Sequence, residues 1–294
     1  MSIAQAQARF ARVPFAAFLG VTLVDVTHAR AVLALPFQPA HTNAAGPLNG
    51  GASASLLLMA GTVAAWTGVD LDTEPHLSGV DMSVHYLSRA MEEDVLAEAQ
   101  VVQRGRGLFF LAVTLRTPAG KPICQDVMTY RAPNYADQAP RLYAQPVLLP
   151  VPAPLTPPDN PRVIRGYVQK LHMTLQHQSP GRVRLHMPCT AMHVDERGQM
   201  HAGALASIAD LAGTAAAWSL VSRREGARGA TVGLHINYMN ATTDPVVADA
   251  HVQQRSEELF CSTVHVTSAV TGHLIALGEV TYRLLEPREG VASQ

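Results

Sequence analysis

Two stretches of this chain are apolar or small on almost every side: residues 50–66 (GGASASLLLMAGTVAAW) and 202–218 (AGALASIADLAGTAAAW). A helix with no polar stripe has no face to offer water, so each stretch predicts a helix buried all round. The flanking segments alternate with a period of two, as where Val113 and Leu115 interleave with Thr114 and Arg116. That period predicts strands. They fall at residues 21–25, 31–36, 95–103, 108–116 and 122–131, and again at 168–175 and 182–187. Residues 118–120 and 270–272 read as hairpin loops. A turn-rich segment with a glycine (Gly46, Gly198) leads into each helix, and residues before about Gly20 predict one short helix. One long buried helix inside a curved antiparallel sheet satisfies this pattern twice over, in the α+β class.

The two halves match at a constant offset. Gly51 aligns with Gly203, Ser55 with Ser207, Gly61 with Gly213 and Trp66 with Trp218. The match continues into VDMSVHYLSRA and VGLHINYMNAT, with Tyr86 over Tyr238, and ends on DVMTYR and GEVTYR. Between these, residues 97–113 match 248–264 after a slip of one residue, which fits a changed strand connection or a β-bulge. Nine of the 20 prolines fall within residues 133–161, a density that excludes helix and central strand. The expected organisation is a first domain over 1–132, a Pro-rich linker over 133–162, a second domain over 163–286 and a tail over 287–294. At the offset of the repeat, Asp210 stands opposite Leu58. One helix carries a carboxylate in its apolar middle, and its twin carries leucine.

Composition narrows the class. The chain has 294 residues, 48% of them hydrophobic, and a net charge of -1. That charge gives no reason to expect nucleic acid or an anionic membrane as partner. Cys124, Cys189 and Cys261 are too few and scattered for a disulfide framework or a metal-ligand pair, and they fit a reducing compartment. The 13 histidines show no paired ligand spacing, so no metal is expected. The N-terminus lacks the pattern of a secretory leader, and the longest apolar stretch falls short of a bilayer span. A soluble, cytoplasmic protein is expected.

The turn and helix opening carry a motif. HTNAAGPLNGG supplies Asn43, Gly46, Asn49, Gly50 and Gly51; HVDERGQMHAG supplies His193, Asp195, Gly198, His201, Ala202 and Gly203. This resembles acyl-CoA thioesterases of the phenylacetate-pathway type and their mammalian relatives. Their pattern is Asn, then Gly, then His-Gly-Gly opening the helix, with an acid nine positions after the His. Asp210 stands at that spacing from His201. Asn49 replaces the His of repeat one, Asp195 the Asn of repeat two, and Ala202 its first Gly.

The resemblance implies two hotdog domains in one chain and an acyl-CoA substrate, with coenzyme A as part of the substrate and no other cofactor. It implies a site between the repeats, the helix-end donor coming from one and the acid from the other. Crossing the halves places Asn43, Asn49, Gly50 and Gly51 with Asp210, and Asp195, His201, Ala202 and Gly203 with Leu58. A single site is therefore expected, with Asp210 as general base or nucleophile. Gly50 and Gly51 would stabilise the oxyanion. Asn43 would orient the loop or the water, Asn49 would donate to the thioester, and Thr231 would stand beside the acid. Arg223, Arg224 and Arg228 are candidates for the coenzyme A phosphates. Further assembly into a homo-oligomer fits the family.

Each residue also has a structural reading. Asp210 would be a hydrogen-bonded core carboxylate, the glycines close-packing positions, Asn43 an Asx turn, Thr231 an ordinary strand residue and the arginines a solvated loop. Two other functions fit the same pattern: a non-catalytic acyl-CoA binder, and a hotdog hydratase or dehydratase, which would want an Asp and a His in one site.

Overall fold

The computed structural model describes residues 2–43, 46–68, 77–105, 107–132, 166–221 and 227–285. The Pro-rich segment 133–162, the tail 287–294, Arg223 and Arg224 lie outside the described residues. Repeat one opens with helices α1 (Ile3–Phe10) and α2 (Pro14–Leu19), then strands β1 (Thr22–Thr27) and β2 (Arg30–Leu35). The long helix α3 (Gly50–Thr67) follows, then β3 (Ser78–Tyr86), β4 (Val95–Arg104), β5 (Leu108–Arg116) and β6 (Pro122–Arg131). Repeat two has the short helix α4 (Tyr167–Lys170), β7 (Thr174–Ser179) and β8 (Arg182–Met187). The second long helix, α5 (Ala202–Trp218), precedes β9 (Arg228–Tyr238), β10 (Val246–Ser256), β11 (Leu259–Ser268) and β12 (Leu274–Leu285).

Among the described residues, the strands join one antiparallel sheet in the order β1-β2-β4-β5-β6-β3-β9-β12-β11-β10-β8-β7. The order is the same read from either end, so the repeats meet edge to edge at β3 and β9. There Met82 pairs with Ile236 and Val84 with Leu234, and all four side chains are buried. Along β5, Phe109, Leu111, Val113 and Leu115 are buried beneath the sheet while Phe110, Ala112 and Thr114 face outward, as a period of two requires. Each half is a hotdog domain, its sheet wrapped around a buried helix.

The two long helices touch each other directly. A Cβ on Gly51 would lie 2.8 Å from Ser207 Cα, and one on Gly203 would lie 3.0 Å from Ser55 Cα. The Ser55 and Ser207 hydroxyls, 3.1 Å apart, sit between the Gly51 and Gly203 carbonyls at 2.8–3.1 Å. The Tyr167 hydroxyl closes this buried cluster at 3.3 and 3.1 Å. Polar groups in so apolar a place persist because each has a partner.

Two local expectations differ from the structure, and a third is decided between its alternatives. The N-terminal segment forms two helices, because Pro14 opens α2 at a first-turn position where its missing N–H costs nothing. Residues 168–170, expected in a strand, are helical in α4. The Tyr167 ring is fully buried and its N–H donates to Thr42 O at 3.3 Å, so a contact to the other repeat overrides local alternation. The one-residue slip is a matter of connection length: residues 87–94 join β3 to β4 and residues 239–245 join β9 to β10. The bulge itself is common to both repeats, at Val101/Gln103 and Val252/Gln254.

Gly51→Ala should destabilise the protein by roughly 1–3 kcal/mol, although alanine is the better helix former, because the added methyl meets the Ser207 backbone. Urea unfolding checks this; unchanged stability would show that the helices can separate freely.

Candidate active site

The N-terminal end of α3 is built by its sequence. Asn49 caps the helix, its Oδ1 accepting from Gly51 N–H at 2.8 Å. Its Nδ2 donates to Asn43 Oδ1 at 2.6 Å. Asn49 is therefore buried and spent largely on the cap and the preceding loop. Gly50 occupies the first helical turn, where the N–H has no intrahelical acceptor. The Gly50 carbonyl accepts from the Tyr86 hydroxyl at 2.9 Å.

Against this helix end lies Asp210 from the middle of α5. It is 2% exposed, and a Cβ on Gly50 would lie 2.8 Å from its Oδ2. Any other residue at position 50 would occupy the space into which this oxygen points. Oδ1 accepts from the Thr231 hydroxyl at 2.8 Å. Burial raises the Asp210 carboxyl to about 6, while the Thr231 hydrogen bond and the nearby Gly51 N–H hold it from rising further.

These groups line a cavity of about 640 Å³, within the range of small-molecule sites. Asn43, Asn49, Gly50, Asp210, Thr231 and Arg228 all border it; Gly51 lies one residue deeper, against Ser207. On the long helices, Leu211 and Thr214 line this cavity, Met59 lines another, and Leu57 is wholly buried in the core. The structure adds Arg89, Tyr86, Trp218 and Tyr282. Trp218 Nε1 donates to the Tyr282 hydroxyl at 2.9 Å. The repeat aligned both aromatic types, which was a signal; Arg89 stands opposite Ala241, and only the fold brings it to the mouth.

The other crossing is different. His201 caps α5, its Nδ1 accepting from Gly203 N–H at 3.0 Å. Leu58 stands where the acid would be, and both border a cavity of about 400 Å³. Asp195 pairs with Arg197 at 3.0 Å. His193 Nε2 donates to Leu171 O at 3.1 Å, and its Nδ1 accepts from the Thr190 hydroxyl at 2.9 Å. Among the described residues, no three of His, Cys, Asp or Glu gather as a metal site, and no helix is long and apolar enough to cross a membrane.

A second buried carboxylate escaped sequence reasoning. Asp126 on β6 is 3% exposed, accepts from Ser83 N–H at 2.9 Å, and has no partner at Oδ2. Burial raises it to about 7. Its twin is Gly278, so it is again a one-sided acid, but it does not border the large cavity.

The family model of the thioesterase superfamily matches residues 45–124 and 197–273, once in each repeat. The chain belongs to the thioesterase superfamily. Both matches include the helix end and the long helix that form the crossing. The human acyl-coenzyme A thioesterase 13 is 32% identical over 114 residues, which are 38% of this chain and 79% of that protein. The mouse protein of the same name is 30% identical over the same length. Among solved structures, acyl-CoA thioesterase II TesB2 from Mycobacterium marinum superposes with a TM-score of 0.62 at 11% identity, covering 93% of this chain and 98% of that one. A hot dog fold protein from Alicyclobacillus acidocaldarius gives 0.64 at 14%, covering 95% and 98%. At these identities the likeness is one of fold, and it extends over both repeats.

The two raised carboxylates set a pH dependence. An acid whose folded pKa lies above its unfolded value binds its proton more tightly when folded, so stability falls as pH rises from about 4 to about 7. Asp210→Asn with Asp126→Asn should flatten this slope, with a higher Tm than wild type at pH 8 and little difference at pH 4. Calorimetry across that range is the check; equal slopes in both proteins would place the titration elsewhere.

Proposed function

We propose that the protein hydrolyses an acyl-CoA thioester at one site, formed where Asp210 of repeat two faces the Gly50 end of α3 in repeat one. The observation that supports this reading is the approach of Asp210 Oδ2 to Gly50, with an open cavity beyond. The arrangement sets a carboxylate and a free helix-end N–H side by side, the two functions that thioester hydrolysis needs.

In this reading the thioester carbonyl oxygen lies at the Gly50 N–H, supported by the helix dipole and by the remaining Nδ2 hydrogen of Asn49. Gly51 keeps the helices close, and its N–H serves the Asn49 cap and favours ionised Asp210. Thr231 holds Oδ1, so Oδ2 is the oxygen available to chemistry. Asp210 acts as general base. It takes a proton from water as the hydroxyl oxygen bonds to the carbonyl carbon. The tetrahedral oxyanion then collapses, the C–S bond breaks, and the departing thiolate recovers the proton. A base with a pKa of about 6 is ionised at neutral pH yet basic enough to assist water, which unperturbed aspartate does poorly. Asn43 positions the loop through Asn49. Arg89 and Arg228 at the mouth are the groups placed for coenzyme A phosphates, a role that Arg223 and Arg224 would extend.

The names of the acyl-coenzyme A thioesterase relatives favour hydrolysis over a hydratase, and among the described residues no histidine lines this cavity. A pure binder remains the competing function, and turnover separates it.

Free-thiol release from a panel of acyl-CoAs should show turnover in the wild type and a fall of at least about 100-fold in Asp210→Asn. Undiminished turnover in that variant would remove Asp210 from the chemistry. The profile of kcat/KM should rise with pH through about 6, and Thr231→Val should move that inflection upward by removing a bond to the charged form. Arg89→Ala and Arg228→Ala should raise KM with little change in kcat. Single turnover in water enriched in heavy oxygen should label the acid product and leave Asp210 unlabelled; label in Asp210 would make it a nucleophile.

A further inference from the structure

The 400 Å³ cavity at the other crossing is assigned no role by the hydrolytic reading. Its chemistry is one-sided. Leu58, Met59 and Leu205 give it an apolar inner wall, and Phe10 and Val13 from the N-terminal helices close one flank. Those helices are held there by the Arg9–Glu196 ion pair at 2.6 Å and by Arg9 over the Trp66 ring at 4.7 Å.

At one end of this cavity stand two donors. Ala202 is the first residue of α5, and its N–H lacks an intrahelical acceptor. His201 is 6% exposed. Its Nδ1 accepts from Gly203 N–H, so the ring proton of the neutral imidazole sits on Nε2. Burial lowers its pKa to about 4, so the neutral form is the one present at pH 7. The Phe15 ring fixes the imidazole at a centroid distance of 4.9 Å. His201 Nε2 bonds to nothing among the described residues, although it borders the cavity. The carboxylate and guanidinium groups nearby are already paired, Asp195 with Arg197 and Glu196 with Arg9.

The first-turn N–H of Ala202 and the cavity-facing Nε2–H of His201 stand beside the apolar wall of Leu58, Met59 and Leu205, and an acceptor on an apolar body matches that pairing. The acid and its hydroxyl partner are both missing, since Leu58 replaces Asp210 and Gly79 replaces Thr231. We propose that this second cavity binds an apolar acyl group through its carbonyl and retains it unhydrolysed, making it a ligand site distinct from the hydrolytic one. The acyl group has two sources, an intact thioester or the acid released at the first site. The inference stands on the cavity and its donors and does not require that Asp210 catalyse.

Calorimetric titration of the 294-residue chain tests it. The probe is the ketone analogue of octanoyl-CoA, in which a methylene separates sulfur from the carbonyl so that nothing can be hydrolysed. Two equivalents per chain are expected. Ala241→Trp, at the exposed rim of the second cavity, should abolish one equivalent and leave thiol release from octanoyl-CoA unchanged. His201→Ser keeps a helix cap, and its short hydroxyl does not reach the place of the Nε2 donor; it should weaken that equivalent by about tenfold. Octanoate filling the same equivalent would identify the released acid as a source, and its failure to do so would leave the thioester. A single equivalent in the wild type, two that Ala241→Trp leaves in place, or two that His201→Ser leaves at full strength would overturn the proposal.

Discussion

The approach of α3 to α5 governs this molecule. Gly51 lies on the Ser207 backbone and Gly203 on that of Ser55, so the two helices meet near their N-terminal ends with only the two small serine side chains between them. Once that contact is made, the helical rise places the residues beyond it. Asp210 lies three residues past Ser207, just under one turn along the helix, and it arrives over Gly50. The same geometry carries Leu58 to the Ala202 end. The shared sheet, joined through β3 and β9, keeps the helices in this register.

The contact also explains why a carboxylate survives in a helix that is otherwise apolar. Alone in the core, Asp210 would be neutral or destabilising. It is tolerated because the helix it faces ends there, offering N–H groups and a positive dipole, and because Thr231 supplies a hydroxyl. These partners offset only part of the desolvation, which leaves the group near pH 6, where proton transfer to and from water is accessible.

Duplication followed by divergence gives the halves different work on one backbone. At the α3 end the cap is asparagine, leaving a glycine exposed to a large cavity. At the α5 end the cap is histidine, the acid is leucine, and the hydroxyl partner is glycine. Helices α1 and α2 lie on the α5 end, where Phe15 packs against His201. In the twin place Tyr167 turns its hydroxyl into the Ser55–Ser207 cluster and its ring edge toward His41. Small exchanges at matched positions thus separate a cavity with a carboxylate at its helix end from one with leucine there.

Much of this was legible in the chain itself. The two all-apolar helices, the alternating strands and the constant offset specified two helix-in-sheet units, because burial on every side and burial on one face leave different periods in a sequence. The Asp210–Leu58 exchange marked the asymmetry. The partners of that acid needed the fold. Gly50 and Thr231 reach Asp210 only across a helix contact and a strand end distant in sequence, and local pattern carries no record of that distance. Residues 168–170 form a helical turn where a strand was expected, beside the buried Tyr167, whose N–H and hydroxyl bond to Thr42 and Ser55 of the other repeat. Asp126 and the free Nε2 of His201 were invisible for the same reason: whether a polar atom is buried and whether it finds a partner are properties of packing between segments. The residue sequence determined which elements form and that one half differs from the other. Tertiary structure alone decided which groups face each other, since only there do desolvation and proximity assign a carboxylate its proton and leave a donor unpaired.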